Sequence, residues 1–232
     1  MLTKGILYGV GVGPGDPEDI TLKAVKIIKL ADILVLPESP RETCASYRIA
    51  EQAVPEIADR TCIALSIPMS YNRSEQEVAY DKAAQTLASY LQTGKKLAYL
   101  TIGDPSIYSS YTEIDKRIME MGYKTQMICG VPSFCACAAA LGVPLVKGKE
   151  ELCLIPGNAV GESQEAITEV YMKSGRHMRK LKENLLDRVN QEALQVMTVS
   201  NCGYPSERIS RSMQEFPETT GYMTTVIVKN HK

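Results

Sequence analysis

The sequence predicts an α/β protein of two domains, with a largely parallel N-terminal sheet, a smaller mixed C-terminal sheet and a cleft between them. Three observations predict it. Through the first 145 residues, short apolar runs alternate with helical patterns at intervals of 20–30 residues, as parallel strands joined by right-handed crossovers require. A turn-rich passage at 142–151, with Gly142, Pro144 and Gly148, then interrupts the alternation. Beyond it, strand and helix patterns return in smaller form. The expected domains are therefore 1–145 and 146–232.

Each element has its own reason. Ile6-Leu7-Tyr8-Gly9-Val10 reads as a buried strand. A helix is expected over 18–30, where Ile20, Ala24, Ile27, Ile28 and Ala31 recur at helical spacing. Ile33-Leu34-Val35-Leu36 is a second strand, stopped by Pro37, and a helix near 44–53 leads to a short strand at Cys62-Ile63-Ala64-Leu65. Ser74 and Glu77 form a capping box for a helix over 74–93 that ends at Gly94. Leu97 to Ile102 is the fourth strand, a helix runs to Met121, Lys124 to Ile128 is the fifth strand, and small residues form a helix over 133–141. In the second half, strands are expected at 151–155, 168–172, 194–199 and 222–228, with helices near 162–167, 176–189 and 205–215.

Composition excludes several classes. In 232 residues, 26 Lys and Arg nearly balance 27 Asp and Glu, so no long-range field draws the chain to nucleic acid or to an anionic membrane. No apolar run reaches the roughly 18–20 residues that span a bilayer, and the N-terminus lacks a signal peptide's apolar core and cleavage site. Seven cysteines without framework spacing suit reduced thiols in a cytoplasmic protein. The closest pair, Cys135 and Cys137, points in different directions on a helix, so no metal site is expected. His177 is the only histidine away from the C-terminal tail and reads as a solvated side chain on a basic helix face, which leaves little for a histidine-based nucleophile machine.

Chemistry concentrates in three loops at strand ends, where open parallel sheets bind ligands. The first is Gly9-Val10-Gly11-Val12-Gly13-Pro14-Gly15-Asp16-Pro17. Pro14 and Asp16 stand where a dinucleotide motif needs glycine, and there is no Lys-Ser/Thr pair to complete a phosphate loop. Asp16 as N-cap with Glu18 and Asp19 in the first turn would repel a pyrophosphate. These glycines suggest close backbone approach to something uncharged or cationic; a tight turn without a ligand would use them equally well. The second loop, Thr101-Ile102-Gly103-Asp104-Pro105-Ser106-Ile107-Tyr108-Ser109, sets an anion beside a permissive backbone. The third, Cys129-Gly130-Val131-Pro132-Ser133-Phe134-Cys135-Ala136, opens the small-residue helix.

Together these loops resemble the tetrapyrrole methylase family of S-adenosylmethionine-dependent enzymes, over essentially the whole chain. Cys129 stands where that family usually has proline, and Pro132 and Ser133 compete for its Ser/Thr position. Within the family, the second and third loops, with Tyr171-Met172-Lys173 and Asn201-Cys202-Gly203, look most like the subgroup methylating carbon 20 of precorrin-2 or cobalt-factor II in cobalamin synthesis. Another macrocycle carbon, or a diphthamide-type protein acceptor, is the alternative.

The resemblance implies S-adenosylmethionine as cofactor, S-adenosylhomocysteine as product, a tetrapyrrole substrate and a homodimer, for which the apolar loop Ile67-Pro68-Met69-Ser70-Tyr71 is weak sequence support. It implies cofactor binding by Pro14, Gly103, Asp104, Ile107, Ser133, Phe134, Tyr171, Met172, Cys202 and Thr225. Met172 and Cys202 could equally be core. A tetrapyrrole fringed with carboxylates needs local cations, and Lys173, Arg41, Arg73 and Arg176 are the candidates. Asp104 and Lys173 are the candidates for catalytic roles; Lys173 reads equally as a solvated strand-end lysine.

Overall fold

Strands buried on both faces read as unbroken apolar runs, and the first half of the chain is built on them. The computed structural model describes residues 4–38, 40–65, 67, 72–156, 168–191, 193–217 and 221–230, without the side chains of Arg176 and Gln191. The chain divides into two compact units, Met1–Pro132 and Ser133–Lys232.

In the first unit, β1 (Ile6–Gly11), β2 (Ile33–Leu36), β3 (Cys62–Ala64), β4 (Lys96–Thr101) and β5 (Lys124–Ile128) form a parallel sheet in the order β3-β2-β4-β1-β5. All of β2, and β4 from Leu97 onward, is buried. The helices are α1 (Leu22–Leu30), α2 (Ala45–Ala53), α3 (Arg73–Gln92) and α4 (Tyr111–Glu120). Ala84, Leu87 and Leu91 of α3 and Ile114 and Ile118 of α4 pack with Leu7, Ile33, Val35, Leu97 and Tyr99. Alternation sends Leu34, Leu36, Ala98 and Leu100 to the opposite face.

Two helix starts differ from expectation. Pro17–Asp19 form a separate 3₁₀ turn capped by Asp16, whose side chain accepts from the Glu18 amide at 2.8 Å. Ile20 then returns to extended backbone, and α1 starts only after Thr21, which accepts from the Ala24 amide at 3.2 Å. The acidic residues thus belong to the turn that precedes α1 and not to its first turn. At α3 the cap is Asn72, whose side chain accepts from the Ser74 amide at 3.1 Å and donates to Glu75 at 2.9 Å. Ser74 and Glu77 stand two residues too late in sequence to be the capping box.

In the second unit, α5 (Ser133–Leu141) precedes a sheet of β6 (Leu152–Pro156), β7 (Thr168–Met172), β8 (Leu194–Ser200), β9 (Arg208–Ser210) and β10 (Thr224–Asn230), in the order β6-β7-β10-β8-β9. Only β6 and β7 pair in parallel, so this sheet is mixed. A 3₁₀ turn, Gly175–His177, leads into α6 (Met178–Gln191), whose Met178, Leu181 and Leu185 pack with Tyr171, Val196, Val226 and Val228. The division falls ahead of α5, not at 145, because α5 packs on β8 and β10. The turn-rich passage is fastened to the same unit: Lys229 donates to the Pro144 carbonyl at 2.8 Å, and Thr168 to that of Leu145 at 2.7 Å. The helix expected over 205–215 is absent. β9 pairs antiparallel with β8 there, followed by a 3₁₀ turn at Met213–Glu215. The helix expected near 162–167 and most of the loop at 67–71 lie outside the described residues. Among those described, no helix is long and apolar enough to cross a membrane.

Candidate active site

The carboxyl ends of β4, β1 and β5 lie side by side, and their loops are joined by backbone. The Val12 amide donates to the Thr101 carbonyl at 3.0 Å, and the Gly103 amide to that of Gly13 at 2.8 Å. A Cβ on Gly11 would stand 2.4 Å from the Gly103 oxygen and 2.7 Å from the Gly130 nitrogen; one on Gly130 would stand 2.1 Å from that same oxygen. Real Cβ atoms do not approach so closely, so at Gly11 and Gly130 glycine is a packing requirement. Gly13 and Gly103 are required for another reason, since both sit at positive φ, +82° and +71°. The tight-turn explanation therefore accounts for these glycines without a ligand.

Asp104 is buried and ties two of the loops together. One carboxylate oxygen accepts from the Ser106 amide at 2.8 Å and from the Ser106 hydroxyl; the other accepts from the Gly130 amide at 3.0 Å. Among the described residues no cationic side chain pairs with it. A buried carboxylate served only by neutral donors favours a positive charge nearby. Pro14 is buried and Ile107 half-buried on the same edge of the sheet. Tyr108 carries φ +47°. After it, Ser109 bonds Thr101 at 3.0 Å and Ser110 bonds Tyr99 at 2.7 Å.

In the second unit, alternation along β7 decides which predicted residues meet. Tyr171 pairs with Val226 and faces α6, where its hydroxyl donates to Glu169 at 2.7 Å. Arg188 grips the same carboxylate at 2.8 and 3.0 Å. Burial and the neighbouring Glu169 hold the phenol far above its ordinary pKa. Met172 and Thr225 consequently take the opposite face, where the Thr225 hydroxyl donates to Ser133 at 3.4 Å. Cys137 of α5 and Cys202 are free thiols joined by a hydrogen bond, which holds the pKa of Cys137 down; the same contact together with burial pushes that of Cys202 up. The structure thus gathers Ser133, Met172, Cys202 and Thr225 on one face, with Phe134 buried on α5, and turns the Tyr171 side chain away from them. Pro132 ends the first unit and Ser133 is the first residue of α5.

The basic candidates are dispersed. Arg41 donates to the Ala58 carbonyl at 3.0 Å and lies 5.5 Å from the Tyr47 ring centre. Arg73 opens α3 with its side chain 93% exposed. Lys173 follows β7 directly, as expected; it has φ +59° and sets its ammonium 5.6 Å from the Tyr222 ring centre. Arg176 has no described side chain. Sequence reasoning missed the parts played by Gly11 and Gly130, Tyr108 and Cys137. Asp104-x-Ser106 signals a local turn, but contacts between loops have no sequence signal. Among the described residues no group of His, Cys, Asp and Glu could hold a metal.

The family model described as tetrapyrrole (corrin/porphyrin) methylases matches residues 6–215. The chain is 30% identical, over 97% of its length and 96% of the relative's, to the protein named "probable cobalt-precorrin-2 C(20)-methyltransferase" of Methanocaldococcus jannaschii. It is also 30% identical to the precorrin-2 C(20)-methyltransferase of a Sinorhizobium species, covering 78% of each chain. The fold matches uroporphyrin-III C-methyltransferase from Thermus thermophilus, solved with S-adenosyl homocysteine, at a TM-score of 0.68 and 20% identity over 97% of both chains. The chain is an S-adenosylmethionine-dependent methyltransferase. Within that class it belongs to the tetrapyrrole (corrin/porphyrin) methylase family.

Proposed function

We propose that the enzyme methylates carbon 20 of a precorrin-2-type macrocycle in cobalamin synthesis. The observation that carries this reading is the nearly full-length similarity to the Methanocaldococcus relative of that name. When bound, the cofactor supplies an electrophilic methyl group on a sulfonium centre. Asp104 suits the ammonium of the cofactor's amino-acid portion, because its donors are all neutral and Oδ2, which accepts only from the Gly130 amide, retains a lone pair. Gly103, at positive φ, lets the backbone approach the ligand, and Pro14 and Ile107 stand beside it at the same sheet edge. Ser133, Phe134, Met172, Cys202 and Thr225 are assigned to the cofactor from the second unit, and Tyr171 through its backbone. Lys173 is the first choice for a substrate carboxylate, followed by Arg41, Arg73 and Arg176. The enzyme is proposed to act as a cytoplasmic homodimer, which light scattering on the purified chain checks.

The decisive assay incubates the enzyme with S-adenosylmethionine and either metal-free precorrin-2 or its cobalt-loaded form. One added methyl group by mass, assigned to carbon 20 by NMR, is expected with at least one of them. Methylation at a different carbon overturns the assignment, and the preferred form settles the question of cobalt.

A further inference from the structure

Among the described residues only three non-glycine side chains sit at positive φ: Tyr108 at +47°, Lys173 at +59° and Asn201 at +52°. Each lies in the segment that follows a strand's carboxyl end, after β4, β7 and β8 respectively. Asn201 has a local reason. Asparagine tolerates this region, and its carbonyl accepts from the Tyr204 amide at 3.0 Å in a tight turn. Lys173 gains a ring contact with Tyr222. For a bulky aromatic residue the same backbone is a genuine outlier.

Core packing does not account for Tyr108. Tyr47, Tyr99, Tyr111 and Tyr171 are all fully buried, whereas Tyr108 is 40% exposed. Both of its flanks are fastened. Before it, Asp104 holds Ser106, and the Ile107 amide donates to the Asp104 carbonyl at 3.3 Å. After it, the Ser109 hydroxyl accepts from the Tyr111 amide at 3.2 Å, and the Ser109 carbonyl accepts from Thr112 at 2.9 Å. The surrounding loop thus over-determines a conformation that glycine would adopt without strain. What glycine would not supply is the ring.

We infer that Tyr108 is a substrate-contacting residue whose ring packs against the flat face of the tetrapyrrole. The inference rests on the tetrapyrrole reading given above and names a side chain for it. The ring stands four residues beyond Asp104, in the same loop as the proposed cofactor contacts. An exposed aromatic held by strained backbone at that place offers an apolar surface that needs no ordering on binding.

The test uses the full-length enzyme with precorrin-2 as probe, and compares Tyr108→Gly with Tyr108→Phe. Relief of backbone strain should leave the melting temperature of Tyr108→Gly no lower than the parent's. Its kcat/KM should fall about tenfold, the size of one aromatic contact, with S-adenosylhomocysteine affinity by calorimetry unchanged. Tyr108→Phe, which keeps the ring, should stay within about twofold of the parent. Parental kinetics in Tyr108→Gly would overturn the inference. So would a loss in Tyr108→Phe equal to that in Tyr108→Gly, since the hydroxyl and not the ring would then carry the effect. A parent enzyme that methylates no tetrapyrrole fails the underlying reading instead, so the two failures are distinguishable.

Discussion

The two sheets solve the same problem, holding strand ends and loops in register, by opposite means. In the first unit the loops after β4, β1 and β5 meet through bare backbone at Gly11, Gly103 and Gly130, and no Cβ fits at Gly11 or Gly130. In the second, a buried Glu169 receives Arg188 and Tyr171, while Lys229 and Arg211 reach the carbonyls of Pro144 and Leu141. One unit is therefore sensitive to atoms added and the other to atoms removed. Glycine junctions leave no side chain to tune, whereas polar junctions depend on every partner being present.

The largest effect expected is on the polar side of this contrast. Arg188→Ala strands Glu169, which is only 2% exposed, and should cost about 3–5 kcal/mol in urea unfolding. Replacing both residues, with Glu169→Leu and Arg188→Met, should recover most of that; no recovery would mean the pair does more than neutralise itself. On the glycine side, Gly130→Ala brings a methyl group against the Gly103 oxygen and should cost about 3 kcal/mol, the upper range for overpacking. A cost below about 1 kcal/mol would show that these loops relax apart, and would erase the comparison.

Arg117 sharpens it further. This arginine of the first unit also gathers carboxylates, pairing with Asp81 at 2.7 Å, Glu113 at 2.9 Å and Glu77. Those partners are 48–61% exposed, so water replaces the lost arginine, and Arg117→Ala should cost only about 1 kcal/mol. A loss as large as that of Arg188→Ala would show that partner burial is not what separates the two sites. The smallest effect concerns Asp19, whose pKa is raised by burial and then by Asp16 and Glu18. A raised carboxylate pKa means that the folded state disfavours the ionised form. Stability is therefore lost as pH rises from the unfolded to the folded pKa, and Asp19→Asn should remove that loss. At pH 7 the variant should be more stable than the parent by up to about 0.5 kcal/mol, screening included. Near pH 3, with the parent's carboxyl protonated, the gap should close.

Much of this architecture was legible in the chain. The runs 33–36 and 97–101 are apolar throughout because both faces of a parallel sheet are covered, and that pattern needs no partner to be recognised. Strand β9 escaped because three residues, Arg208-Ile209-Ser210, carry too short an alternation to outweigh a helix-like stretch. The start of α1 was misplaced because Asp16-Pro17 is a genuine helix-start signal, spent here on one 3₁₀ turn. In the candidate site, Gly103 and Asp104 could be singled out from their motif. The reason for Gly11 and Gly130 could not, since it exists only once the order β4-β1-β5 is known. Placing Tyr171 and Met172 together ignored the alternation of a strand that the sequence itself had indicated.

The position of β1 has a consequence for how the protein is made. Strand β1 leaves the ribosome well before its two neighbours in the sheet, β4 and β5, which begin at Lys96 and Lys124. At about 5–20 residues per second, it waits on the order of 5–20 s for its first neighbour to be synthesised. During that interval Ile6, Leu7 and Val10 have no sheet to enter, so the nascent chain carries an unpaired apolar strand. Ribosome-bound truncations ending before the β4 segment emerges should therefore recruit a chaperone, and those extending past β5 should release it.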